Sequence, residues 1–190
     1  MLRIKKYCDS VDATVLKGDC NKNIEKILSE IPERSPFLAF IDPEGLEVKM
    51  DTIKMISQWE KAELYINYPY DMAVVRNIAP TLYEATHRTI TEFFGSEEWI
   101  PIRDELYKKK NIDSNISDIT RKRFLELYIS KLKELGFRKI ACSDVIKSDS
   151  GHPLYFLIHA SRRGIAEKTM KEVMKVDKKH RHIQKKLFSL

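Results

Sequence analysis

Short apolar runs alternate along this chain with stretches where apolar residues recur every three or four positions. Ala13 to Lys17 (ATVLK) predicts a short β-branched strand. Gly18-Asp19-Cys20-Asn21 is a turn, and Asn21 caps a helix running to about Ser29 with Ile24, Ile27 and Leu28 on its inner face. Phe37 to Ile41 is uniformly apolar and too short for an amphipathic helix, which predicts a strand buried on both faces. Asp51 then caps a helix reaching Lys61, with Ile53, Ile56 and Trp59 on one side, and Glu63 to Asn67 is the next strand.

Residues 72 to 94 read as helical, interrupted at Pro80 and closed by Phe93-Phe94-Gly95. Arg103 to Ser117 lacks periodicity and predicts a helical turn and a surface loop. Asp118 caps a strong helix with Phe124, Tyr128, Leu132 and Leu135 inward and Gly136 as its stop. Phe137 to Ile146 is a strand with a polar interruption. Ser150-Gly151-His152-Pro153 turns tightly into Leu154 to Ala160, and these two strands predict an antiparallel hairpin. A basic helix covers 164–188, with Ile165, Met170, Val173 and Met174 inward over its first turns. The order β-α-β-α-β-α-α-β-β-α predicts one α/β domain over 1–190, built on an open, mostly parallel sheet with an antiparallel pair at one edge.

Composition narrows the function classes. At 190 residues, with 43% apolar and 33% charged positions, the chain can bury a core of its own. No apolar run reaches the length of a membrane span and no signal pattern follows Met1, so a cytoplasmic protein without a membrane partner is expected. Cys8, Cys20 and Cys142 are odd in number, far apart and never in a C-x-x-C pair; free thiols are expected and a structural zinc site is not. His180-x-His182 sits among Lys178, Lys179, Arg181, Lys185 and Lys186, which disfavours a cation, so no metal is expected there. From Arg162 onward the net charge is +7, and the preceding residues sum to −1. A surface for nucleic acid or an acidic partner therefore belongs to the C-terminal helix, at Lys178, Lys179, Arg181, Lys185 and Lys186, against the plainer reading of a solvated helix end.

The candidate chemistry gathers at strand ends. Ile41 runs into Asp42-Pro43-Glu44-Gly45, so the Asp42 carboxylate stands at the carboxyl end of a buried strand, where open α/β sheets bind ligands, and Pro43 and Gly45 set the turn. Asn67-Tyr68-Pro69-Tyr70 closes the neighbouring strand; aromatic packing is its plainer reading. Arg76 could pair with Asp42 or hold an anion. His159, inside an apolar strand, reads as a satisfied core histidine, and Cys20 as a small buried residue.

Five segments together resemble the three-Cys-motif partner proteins, a bacterial and archaeal family with a class I methyltransferase-like fold. They are Gly18-Asp19-Cys20-Asn21, Phe40-Ile41-Asp42-Pro43-Glu44-Gly45, Ile66-Asn67-Tyr68-Pro69 with Arg76, Phe94-Gly95 with Trp99, and Pro153-Leu154-Tyr155-Phe156-Leu157 with Ala160-Ser161. The resemblance implies a three-layer Rossmann-like sheet whose first two strands are missing. It places Asp19, with Cys20, near the adenosine of S-adenosylmethionine, and Asp42, Pro43 and Gly45 facing the reacting methyl. It also makes Asn67 and Tyr70 counterparts of the residues that accept a target amine and stack on a base in amino-methyltransferases.

The departure from that family is in the glycines. They stand at 18, 45, 95, 136, 151 and 164, no two within ten residues, so no glycine-rich cradle for the cofactor can form. The chain reads as a member shortened at its N-terminus. Two functions follow. One is a methyltransferase-like module that is not a competent enzyme alone and acts through a protein partner or a homodimer at the incomplete sheet edge. The other is an S-adenosylmethionine-dependent methyltransferase acting on nucleic acid. An unpaired edge is hazardous, so it is expected to be covered, by the 13–17 strand or by a second chain.

Overall fold

The computed structural model describes residues 14–69, 84–109, 116–148, 150–151, 153–163 and 172. Within them, five helices and five strands alternate in an α/β order: α1 (Cys20–Ser29), β1 (Phe37–Ile41), α2 (Met50–Ile56), β2 (Ala62–Pro69), α3 (Glu84–Phe94), α4 (Trp99–Lys109), α5 (Ile116–Glu134), β3 (Lys139–Cys142), β4 (Ile146–Lys147) and β5 (Pro153–Ser161).

The strands form one mixed open sheet in the order β1-β2-β5-β3, with β4 also pairing β5. Only β1 and β2 pair in parallel; β2, β3 and β4 each meet β5 antiparallel. The expectation of a mostly parallel ladder is thereby corrected. Four strands do share one direction, but the reversed strand β5 is inserted between β2 and β3 and turns most contacts antiparallel. The expected hairpin is present, its polar interruption falling at Ser143–Val145 between β3 and β4.

Alternation sorts the sheet side chains onto two faces. Ile41, Leu64, Ile66, Tyr68, Ile158 and Ala160 share one face and are all buried. Tyr68 meets Phe93 of α3 and Tyr128 of α5 there, with ring centroids 5.9 and 5.1 Å apart. Phe37 packs edge-on against Trp59, just after α2. On the opposite face Leu38 and Phe40 are 56% and 62% exposed. The expectation that β1 is buried on both faces is therefore wrong. The strand lies at the end of the described sheet, and the described helices leave those two side chains uncovered.

Several helix boundaries also move. Residues 14–17 carry no strand and Val15 is 55% exposed, because no described strand runs beside them to complete a ladder. Helix α1 is capped by Asp19 rather than Asn21: the Asp19 carboxylate accepts from the Asn21 backbone N–H at 2.9 Å. Ile24 and Leu28 are buried as expected, whereas Ile27 is exposed. Helix α2 starts at Met50, one residue before its expected cap Asp51, and ends at Ile56. Asp118 lies inside α5, whose inward Phe124, Tyr128 and Leu132 match the expectation.

Residues 99–109 form a full helix that runs into the 103–117 stretch, where a helical turn and a surface loop were expected. Pro101 falls in its first turn, where a missing N–H costs nothing. Trp99 and Ile102 bury one side, and the Trp99 indole donates to Thr91 Oγ1 at 3.0 Å. Residues 72–83, Cys8 and the basic segment from Gly164, Glu172 excepted, lie outside the described residues.

Two glycines are required by geometry. Gly95 ends α3 with φ +72°, and a Cβ there would stand 2.8 Å from Met50 Cγ at the start of α2. Gly136 ends α5 with φ +92°, and a Cβ would press on the Arg162 guanidinium at 3.2 Å. That guanidinium donates to the carbonyls of Ser57 (2.5 Å), Trp59 (2.9 Å) and Leu135 (2.9 Å) and lies 5.1 Å from the Phe137 ring. One side chain thus satisfies carbonyls left open where α2 and α5 end.

Candidate functional site

The site is assembled by the β1–β2 register. Ile41 sits opposite Ile66, so the next residues on each strand, Asp42 and Asn67, come side by side. Asn67 Nδ2 donates to Asp42 Oδ1 at 2.5 Å. Asp42 is exposed and Asn67 half-buried. Two motifs that are 25 residues apart in the chain thereby become one polar pair at the carboxyl ends of adjacent parallel strands.

The turn after Asp42 is held by its own side chains. Glu47 Oε2 accepts the Gly45 backbone N–H at 2.7 Å. Asn21, at the start of α1, then locks this loop to the helix that follows. Its Oδ1 accepts from the Lys49 N–H at 3.0 Å and from Thr52 Oγ1 at 2.7 Å, and its Nδ2 donates to the Glu47 carbonyl at 2.8 Å. Asn21 does act at a helix start, but that of α2, which has no side-chain cap of its own.

Between α1 and the β1 exit lies a cavity of about 420 Å³. Ile24, Ile27, Ile41, Val48 and Ile56 wall it, while Cys20, Asp42, Glu44 and Glu47 also line it. Cys20 is exposed, against the expectation of a small buried residue, because it opens the first turn of α1 rather than facing the core. Both described cysteines are free.

The remaining candidate groups serve the core. The Tyr68 ring packs inward, and burial pushes its phenol well above the usual tyrosine range, so it is no acid or base near neutrality. Its hydroxyl finds no hydrogen-bond partner among the described residues. Burial likewise pushes the Cys142 thiol up to about 12. His159 is 1% exposed, stacks on Tyr65 at 4.2 Å and pairs with Glu63 at 3.1 Å, as the core-histidine reading expects. Tyr70, Arg76, Lys178, Lys179, Arg181, Lys185 and Lys186 lie outside the described residues, as do His180 and His182.

The described residues do not fit S-adenosylmethionine. Asp19, the expected adenosine-side acid, is committed to α1: its Oδ1 takes both the backbone and side-chain N–H of Asn21, and that backbone bond, more than any other influence, holds its carboxyl below the usual aspartate range. No paired glycines bring backbone N–H groups to the cavity beside Asp42, and its walls are chiefly aliphatic. What the arrangement offers is an acceptor, Asp42, oriented by Asn67 at the rim of an apolar pocket.

No protein-family model matches this chain, and no curated protein or solved structure matches it either. Among the described residues no helix is long and apolar enough to cross a membrane, and no three His, Cys, Asp or Glu side chains gather as a metal site.

Proposed function

We propose that this chain is a methyltransferase-like α/β module, similar to the three-Cys-motif partner proteins, that works through a partner chain and is not a competent methyltransferase alone. The observation that carries this reading is the contrast at β1. Its carboxyl end keeps the paired acceptor Asp42–Asn67, while its outer edge and its Leu38–Phe40 face have no described cover. A sheet edge of this kind supports strand addition by another chain.

Asp19 supports the non-enzymatic half of the proposal, because its carboxylate is used for helix capping instead of for a ligand. Calorimetry with S-adenosylmethionine and with its demethylated product is the test. No heat at millimolar ligand is the expected result. Saturable binding that Asp42→Ala abolishes would overturn the proposal and favour a nucleic-acid methyltransferase, with the basic C-terminal segment as its substrate surface.

A further inference from the structure

We infer that the partner at the β1 edge is a second copy of this chain, joined by antiparallel pairing of β1 with β1 about Ala39. This rests on the reading of β1 as a partner-binding edge and adds the identity of the partner.

The first argument is elimination within the described chain. The sequence led to two expected covers for this edge, the 13–17 segment and a second chain. Residues 14–17 do not pair with β1. They run beside α1 instead, with Asn23 Nδ2 reaching the Lys17 carbonyl at 3.5 Å and Thr14 and Leu16 lining a cavity shared with Asn23, Ile27 and Glu30. Among the described residues, then, nothing pairs with the outer edge of β1.

The second argument is self-complementarity. A two-fold axis through Ala39 sets Leu38 of one copy opposite Phe40 of the other, and Phe37 opposite Ile41. The first pair joins the two side chains that stand exposed at 56% and 62%. Every strand position then meets an apolar partner, and each copy covers on its neighbour what that neighbour covers in return. No Lys, Pro or inward charge interrupts Phe37–Ile41, although these are the devices that keep an edge strand solitary.

Charge supplies the third argument and sets the direction. Glu33 and Arg34 precede the strand, and Asp42 and Glu44 follow it; Arg34 is exposed and Glu44 half-buried. Parallel pairing would bring the two acidic exits together. Antiparallel pairing about Ala39 instead sets the turn that carries Arg34, just before β1 of one copy, near the bend that carries Glu44, just after β1 of the other. The two Asp42–Asn67 sites then open at opposite ends of one sheet running through both copies.

Sedimentation velocity of the full chain over a wide concentration range tests this. The expected result is a monomer–dimer equilibrium. Phe40→Lys is expected to weaken it about 30-fold, as removal of a central anchor does, with an unchanged circular dichroism spectrum. Should that variant fail to fold, the surface charges still decide the matter: R34E and E44R each weaken the dimer, and the double variant R34E/E44R restores it. A strict monomer at every concentration, or a dimer indifferent to all of these changes, overturns the inference. Neither outcome affects the calorimetric test, which addresses cofactor binding alone.

Discussion

Asn67 donates a 2.5 Å hydrogen bond to Asp42, joining the ends of two adjacent parallel strands. The bond has a directional chemistry. Asp42 as a carboxylate can only accept, and the Asn67 amide supplies the proton.

Asn67→Asp replaces that donor by a second carboxylate. The variant is expected to lose about 1 kcal/mol of stability at neutral pH, the scale of one hydrogen bond replaced by repulsion. Two facing carboxylates raise the folded-state pKa of the pair above its unfolded value, so the penalty is present at high pH and shrinks as protonation removes one charge. Urea melts of both proteins from neutral pH down through the carboxylate range check this; a penalty constant with pH would contradict it.

Arg162 holds three carbonyls from two helix ends and packs on Phe137. Lysine keeps the charge but not the planar fork, and cannot serve all three. Arg162→Lys is expected to cost about 2 kcal/mol, since buried acceptors are left open. The exposed neighbour Arg163→Ala is expected to change stability by less than about 0.5 kcal/mol. Equilibrium denaturation of the pair gives the comparison.

Tyr68→Phe removes a buried hydroxyl that has no hydrogen-bond partner among the described residues. It keeps the ring contacts with Phe93 and Tyr128. The variant is expected to be as stable as the parent or more so, by up to about 1 kcal/mol. A clear loss in the melting temperature would show that the hydroxyl is bonded after all.

Lys131 is buried among charges. It pairs with Glu98 and with Glu134, the latter at 3.2 Å. The hydrogen bond to Glu98 is the main reason that the ammonium titrates above its ordinary 10.5, and the same bond holds the Glu98 carboxyl below its ordinary 4.5. A raised ammonium pKa gives stability that is whole below 10.5 and is lost as pH rises through the folded value. A depressed carboxyl pKa gives stability that is whole above 4.5 and is lost as pH falls through the folded value. Lys131→Met is therefore expected to cost most between these limits, about 1 kcal/mol because Glu98 is largely exposed, and least at either extreme. Thermal melts across pH read the difference.

Strong periodicity and special residues made much of the fold legible. The uniform run at Phe37–Ile41, the inward Phe124, Tyr128 and Leu132, and the stops at Gly95 and Gly136 each have one local cause. The misreadings arose where tertiary context decides. Nothing within 14–17 tells that no described strand lies beside it, and Leu38 and Phe40 look like core residues until the described sheet ends at β1. Helix α4 was missed because Trp99 and Ile102 are the only buried positions among its described side chains, too few for a visible period.

The candidate site was legible in parts. Asp42 and Asn67 each stand out as a polar residue closing an apolar strand, but only the parallel register shows that they meet. Asn21 was legible as a cap, yet its target is a helix 28 residues further on, reached at Lys49 through space. Asp19 shows the converse: its motif suggests a ligand, and its local hydrogen bonds to Asn21 take it for the helix.

Amide hydrogen exchange of β1, followed as a function of protein concentration, tests most directly whether this edge is the working surface. The account predicts that, in dilute solution, part of the Phe37–Ile41 peptide exchanges far faster than the central strand β2, and that this part becomes protected as concentration rises while β2 does not change. A β1 already as protected as β2 at the lowest concentration, with no further change on concentrating, would contradict it.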